Sequence, residues 1–186
     1  GDTVAVFGAG PIGIMLGLWA RTAGAFRVIL CDIDPTKVEF ARKQGFDAVN
    51  SRETDPVEYI RTQTGGRGAD ACIEGAGVAQ TWEQALKAVK SFGTVVSMGN
   101  PAGDMTLTQK GYWEILRKQL TLKGTWNSSY NDVRNEWRTA LAAIASHRID
   151  VRPLISHRFP LSEADKAFGV MRERKEFFNK VMFINR

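Results

Sequence analysis

The chain has 186 residues, 44% of them hydrophobic and 24% charged, the balance of a globular fold with one core or one and a fraction. Its net charge of +5 is dispersed, and Glu173 interrupts Arg172, Arg174 and Lys175, so the charge reads as a solvated surface and no nucleic-acid partner is expected. No apolar run approaches the roughly 20 residues of a membrane helix and no signal peptide is visible, so no membrane partner is expected either. Cys31 and Cys72 both lie in apolar, strand-like runs. They read as two buried thiols rather than a disulfide, which fits a reducing, cytoplasmic setting. The chain starts with Gly1-Asp2 and runs straight into a core strand, as a piece of a longer protein would.

Residues 4–7 form an apolar strand that ends in Gly8-Ala9-Gly10-Pro11-Ile12-Gly13. A helical pattern follows, then a second apolar strand, residues 28–31, closing on Asp32. Strand, glycine turn, helix, strand and acid together form the dinucleotide-binding fingerprint in its proper context. Gly8 permits the sharp turn, Gly10 lets a pyrophosphate approach the backbone, and Gly13 lets the helix pack against the strand. Pro11 suits the first helical position, and the helix N-terminus offers N–H groups to phosphates. Ile12, Leu16, Trp19 and Ala23 recur at helical spacing and are expected to face the sheet. Asp32 lies 19 residues past Gly13, and its carboxylate suits the adenosine ribose hydroxyls of NAD while repelling the 2′-phosphate of NADP. Ile33 follows it, where an arginine would have welcomed that phosphate.

Asp34-Pro35-Thr36 starts a second helix that stops near Gly45. Next come a strand at residues 47–50, a helix at 56–64, a Gly-rich break at 65–68 and a strand at 69–74. Gly75-Ala76-Gly77, a helix at 80–89, a strand at 93–98 and Gly99-Asn100-Pro101 follow. This alternation predicts an α/β fold, a doubly wound parallel sheet with helices on both faces. Ligands then lie beyond the carboxyl ends of the strands, at residues 8–13, 32–33, 75–77 and 98–100. A helix at 108–117 and a sixth strand at 120–126 complete the sheet. Beyond the polar loop Asn127-Ser128-Ser129-Tyr130, residues 132–145 put Val133, Trp137, Ala140, Leu141 and Ile144 on one helical face. A segment at 153–159, a capped helix from Ser162 and a strand at 180–184 close the chain. His147 and His157 have no metal-ligand spacing, so no metal ligand and no catalytic residue is expected within these residues.

These motifs resemble the zinc-dependent medium-chain alcohol and polyol dehydrogenases over essentially the whole chain. The carrying pieces are Val6-Phe7-Gly8-Ala9-Gly10-Pro11-Ile12-Gly13, Asp32-Ile33-Asp34, Ile73-Glu74-Gly75-Ala76-Gly77, Val96-Ser97-Met98-Gly99 and Leu122-Lys123-Gly124-Thr125-Trp126. Within that family the chain looks nearest to sorbitol dehydrogenases. By Tyr112-Trp113-Glu114-Ile115-Leu116 and Gly124-Thr125-Trp126-Asn127-Ser128-Ser129 it also looks similar to galactitol-1-phosphate dehydrogenases.

The resemblance implies a Rossmann domain over residues 1–127 and a segment, 128–186, that returns to a second, catalytic domain. It implies NAD as cofactor, and zinc held by that other domain. Asp32 and Lys37 would hold the adenosine ribose, Ile33 would lie against adenine, and Ile12 would touch the cofactor at the glycine turn. Gly75, Ala76, Met98, Gly99 and Asn100 would pass along the nicotinamide half, with Thr125, Trp126 and Asn127 near its amide. Asn127 and Ser128 stand where sorbitol dehydrogenases place an arginine and a tyrosine, so sorbitol is not the expected substrate. They are the candidate contacts to a polyol or sugar alcohol, with a turn-capping role for Asn127 left open. The piece alone is expected to be inactive, and the intact enzyme to be a homo-oligomer. The rival readings are a non-catalytic NAD/NADH-sensing module and, more weakly, a methyltransferase, against which Gly13 argues.

Overall fold

The computed structural model describes residues 1–185. Six parallel strands form one sheet: β1 (Thr3–Phe7), β2 (Arg27–Asp32), β3 (Asp47–Asn50), β4 (Ala69–Glu74), β5 (Val89–Ser97) and β6 (Thr121–Gly124). Their spatial order is β3-β2-β1-β4-β5-β6, so the winding reverses between β1 and β4. The crossovers are α1 (Pro11–Thr22), α2 (Pro35–Lys43), α3 (Pro56–Gln63), α4 (Ala79–Ala88) and α5 (Gln109–Lys118).

The central strands β1 and β2 are apolar on both sides because helices cover both faces. Ala5, Phe7, Ile29, Cys31, Val49, Cys72 and Val95 form one buried cluster with Val57 and Ile60 of α3 and Ala85 and Leu86 of α4. The alternate residues Val6 and Leu30, equally buried, serve the opposite face, where α1 runs close to Val6. Local signals set the helix starts: Asp34 accepts from Thr36 N, Asp55 from Val57 N and Thr108 from Gly111 N, and Pro35 and Pro56 occupy first positions. The far end of α4 is held from α5, where Lys118 Nζ donates to the carbonyls of Leu86, Lys87 and Val89 at 3.0, 2.8 and 2.9 Å.

Two expectations are corrected within the sheet. Helix α1 buries Gly13, Ile14 and Gly17, not Ile12, Leu16, Trp19 and Ala23. A β-carbon on Gly17 would come within 2.7 Å of the Phe46 ring, so the side-chain-free stripe is the one that approaches its neighbours. Strand β5 begins at Val89 rather than residue 93, passing through a register shift opposite Ala69 and Ala71, with Phe92 at φ 60°.

The chain divides into two compact units, residues 1–129 and the residues from Tyr130 on. The expected second segment began at 128; its residue 186 lies outside the described residues. The second unit holds α6 (Glu136–Ala145), β7 (Ile155–Pro160), α7 (Ala164–Glu173) and β8 (Lys180–Ile184), with β7 and β8 paired in parallel. Helix α6 starts later than the pattern at 132 predicted. Asn131 Oδ1 accepts from the amides of Val133 and Arg134 at 3.0 and 2.7 Å, fixing a turn, and Asn135 caps the helix by accepting from Arg138 N at 2.9 Å. Val133 therefore stands outside the helix, 99% exposed, and Ala143 is the residue α6 buries. A short 3-10 turn, Leu161–Glu163, replaces the expected cap at Ser162, and α7 begins after it with no side-chain cap. Leu154 is buried, Ile155, Phe159, Phe177 and Phe178 are half-buried, and Phe183 is exposed. Among the described residues no helix is long and apolar enough to cross a membrane.

Candidate functional site

Because all six strands are parallel, their carboxyl ends share one edge of the sheet, and the winding reverses there between β1 and β4. Gly8, at φ +115°, turns the chain off β1 in a conformation that glycine tolerates best, and its amide donates to Cys31 O at 2.7 Å. Gly10 is the N-cap residue of α1, and the space where its β-carbon would stand is open to beyond 4 Å. The first turn of a helix leaves its amides without intrahelical acceptors, here those of Ile12 and Gly13, since Pro11 has none. An open backbone with N–H groups and a positive helix end suits an anion such as a pyrophosphate.

Asp32 closes this half of the site. Its Oδ2 accepts from Ala9 N at 2.8 Å, its Oδ1 accepts from Asp34 N at 3.0 Å, and Lys37 Nζ lies 3.9 Å away. The carboxylate, only 9% exposed, is thus fastened to the glycine turn while each oxygen keeps a lone pair for a ribose hydroxyl. Ile12, 55% exposed, and Ile33 present large apolar side chains to solvent, surface that a flat aromatic ligand could cover.

The other half is built from the loops after β4, β5 and β6. Gly75 N donates to Phe7 O at 2.9 Å, and a β-carbon on Gly75 would lie 3.5 Å from Met98 Cε. Gly77 and Gly99 sit back to back: a β-carbon on Gly77 would come to 1.9 Å from Asn100 O, and one on Gly99 to 2.3 Å from Gly77 N. Thr125 N donates to Ser97 O at 3.1 Å, carrying the chain to Trp126, which is 76% exposed, and to Asn127 at φ +49°. That left-handed backbone suits asparagine and gives it a turn role of its own. Ser128 follows, exposed on the same loop.

The residues predicted from the sequence lie in the loops at this edge, and hydrogen bonds tie Ala9 to Asp32, Phe7 to Gly75, and Ser97 to Thr125. One residue was missed as a member of the site. Glu74, 1% exposed, directs Oε1 at the amides of Ala76 and Gly77 and at the Thr81 hydroxyl, each 2.8 Å away. An acid at a buried strand end, followed by glycine, was the available signal. Burial pushes both thiols up, Cys31 with a further contribution from Cys72, so neither is poised as a nucleophile. Among the described residues no group of three or more His, Cys, Asp or Glu could hold a metal ion. His157 instead meets Ser156 Oγ at 2.9 Å and Glu176 at 3.7 Å.

Comparison with known proteins gives this edge a family. A profile described as zinc-binding dehydrogenase matches residues 11–146. An alcohol dehydrogenase of Cupriavidus necator is 33% identical over 97% of this chain and 49% of its own length. An erythritol/L-threitol dehydrogenase of Mycolicibacterium smegmatis is 33% identical over 94% of this chain and 47% of its own. The crystal structure of galactitol-1-phosphate dehydrogenase from Escherichia coli superposes with a TM-score of 0.85 at 29% identity, covering 97% of this chain and 52% of that one. The chain spans about half the length of the curated relatives it matches.

Proposed function

The chain belongs to the zinc-binding dehydrogenase family, and on that premise we propose that it is the NAD-binding half of an oxidoreductase acting on a polyol or sugar alcohol, phosphorylated or not. The observation that carries the reading is the bond from Ala9 N to Asp32 Oδ2, which sets a carboxylate beside the open backbone at Gly10. Gly8, Gly10, Pro11, Ile12 and Gly13 receive the pyrophosphate at the start of α1, and Asp32 accepts from the adenosine ribose with Lys37 beside it. Ile33 covers adenine. Gly75, Ala76, Met98, Gly99 and Asn100 line the nicotinamide half, and Thr125, Trp126 and Asn127 present backbone and side chains near its amide. Bound there, NAD supplies the hydride acceptor. Asn127 and Ser128 offer an amide and a hydroxyl to the substrate.

The zinc that the family's name implies does not fit the described residues, which bring no ligand cluster together. It belongs to the half of the enzyme that the relatives carry beyond this match, and the chain alone is expected to be inactive. Strand β6 ends the sheet with an unpaired edge and an exposed Leu122, which supports assembly with further copies. Two buried free thiols support a cytoplasmic setting.

Fluorescence titration with NADH and NADPH tests the reading. NADH is expected to bind at least about tenfold more tightly, because a 2′-phosphate would meet the Asp32 carboxylate. Equal affinities, or binding of neither, would overturn it.

A further inference from the structure

We propose that Glu74 is a positioning residue: it sets the arrangement of the loops after β4 and β5, and so the affinity for the nicotinamide half of the dinucleotide, without touching it. The proposal rests on the NAD-binding reading above. Glu74 ends β4 with its side chain inside the protein, where a polar group needs hydrogen-bond partners. Among the described residues the three donors to Oε1 belong to one stretch: the amides of Ala76 and Gly77 in the loop, and the hydroxyl of Thr81 in α4. The main chain of the same residue holds the next loop, since Glu74 O accepts from the amides of Met98 and Gly99, both at 3.0 Å. Between the two loops there is room for backbone alone. A β-carbon on Gly99 would lie 2.8 Å from Glu74 Oε2, and one on Gly77 would strike Asn100 O. An apolar residue at position 74 could fill the same volume, but it would take the acceptor from the Ala76 and Gly77 amides and leave the Thr81 hydroxyl only the carbonyl of Val78, 2.9 Å away, and only an acceptor at this point fixes the direction of the 76 and 77 amides.

This places Glu74 in control of one half of the crevice only. The glycine turn and Asp32 are fastened to each other by a separate bond, from Ala9. Loss of the Glu74 carboxylate should therefore split the two halves of the ligand rather than weaken both.

The test compares the chain with its Glu74→Ala and Glu74→Gln variants, measuring affinity for NADH and for AMP, melting temperature, and amide hydrogen exchange at residues 75–77 and 98–100. Glu74→Ala is expected to weaken NADH about tenfold or more, the worth of at least one lost hydrogen bond, and AMP less than about twofold. Exchange at the Ala76 and Gly77 amides, which lose their acceptor, should rise, while the Met98 and Gly99 amides keep the main-chain carbonyl of residue 74 and serve as the internal control. Glu74→Gln keeps an oxygen that accepts the same three donors and should recover NADH affinity to within about threefold. Equal losses of NADH and AMP with a lowered melting temperature, or an unchanged NADH affinity, would overturn the proposal. If Glu74→Ala does not fold, Thr81→Val removes one of the three bonds and should show the same split on a smaller scale; no split there would also overturn it. Should the unaltered chain bind neither nucleotide, the NAD-binding reading fails, and the exchange comparison still decides whether Glu74 holds the loops.

Discussion

A β-carbon placed on Gly13 would lie 1.9 Å from the carbonyl oxygen of Gly8, whereas one placed on Gly10, three residues earlier, would meet nothing within 4 Å. Two glycines of one turn thus serve different ends, close packing at one and open space at the other. Gly13→Ala is expected to cost about 3 kcal/mol of stability, since backbone rather than a flexible side chain must move. Gly10→Ala should change stability by less than about 0.5 kcal/mol, yet it should weaken NADH binding by more than about tenfold. Urea denaturation and NADH titration of both variants check the pair; a Gly10→Ala variant that binds NADH normally would remove the pyrophosphate from that spot.

Asp32→Gly is expected to bring the affinities for NADH and NADPH to within about threefold of each other. It should also lower stability, because the amides of Ala9 and Asp34 lose their acceptor, at roughly 1 kcal/mol for each bond. Thermal melts alongside the two titrations separate these effects. A narrowed gap at an unchanged melting temperature would mean that the carboxylate is not needed to hold the turn.

Much of this architecture could be read in the sequence wherever side-chain identity and geometry agree. The Asp34-Pro35-Thr36 start, the Asp47–Asn50 strand and the Ala69–Glu74 strand lie where the pattern put them, because capping and turn chemistry act over a few residues. The inward face of α1 was misread because hydrophobic periodicity counts Ile12, Leu16 and Trp19 and passes over Gly13 and Gly17, whose missing side chains are what admit their neighbours. The start of α6 was misread because the bonds that Asn131 Oδ1 accepts from the Val133 and Arg134 amides outweigh the helical spacing of apolar residues. Glu74 was read as the end of a strand and not as a site residue, because the three donors that converge on it come together only on folding.

Asn127 tests geometry against chemistry. Its left-handed backbone makes Asn127→Gly a neutral change in stability, while Asn127→Ala should cost about 1 kcal/mol. If the side-chain amide also meets the substrate, both variants of the intact enzyme should lose about tenfold in kcat/KM for the true substrate, with NAD affinity intact. Full activity in Asn127→Gly would leave this residue with its turn role alone.

Stability should fall at both ends of the pH range, for opposite reasons. Burial would raise Asp34 and Asp70, but the bonds from Thr36 to the first, and from Lys90 and Thr3 to the second, outweigh it and hold both low; Lys87 and Thr108 do the same for Glu83. A carboxyl group held low in the fold contributes stability above its unfolded value, and that contribution is lost as pH drops below about 4. Burial raises Cys31, so its contribution is complete below its ordinary value of 9.0 and is lost as pH rises past it. Melting temperature against pH should show a plateau between these limits, and Cys31→Ala should make the alkaline fall shallower, the raised Cys72 thiol keeping part of it.

The bond between Ala9 and Asp32 also constrains how this protein could evolve. The carboxylate that would discriminate between the two nicotinamide cofactors is the same group that anchors the glycine turn, so one substitution cannot relax the first property and spare the second. A lineage moving toward the phosphorylated cofactor would need a second acceptor for the Ala9 amide before, or together with, the loss of the acid. Until such a change arose, cofactor preference would be inherited with the fold itself, and the loop beyond β6, which is not fastened to that carboxylate, would be free to vary first.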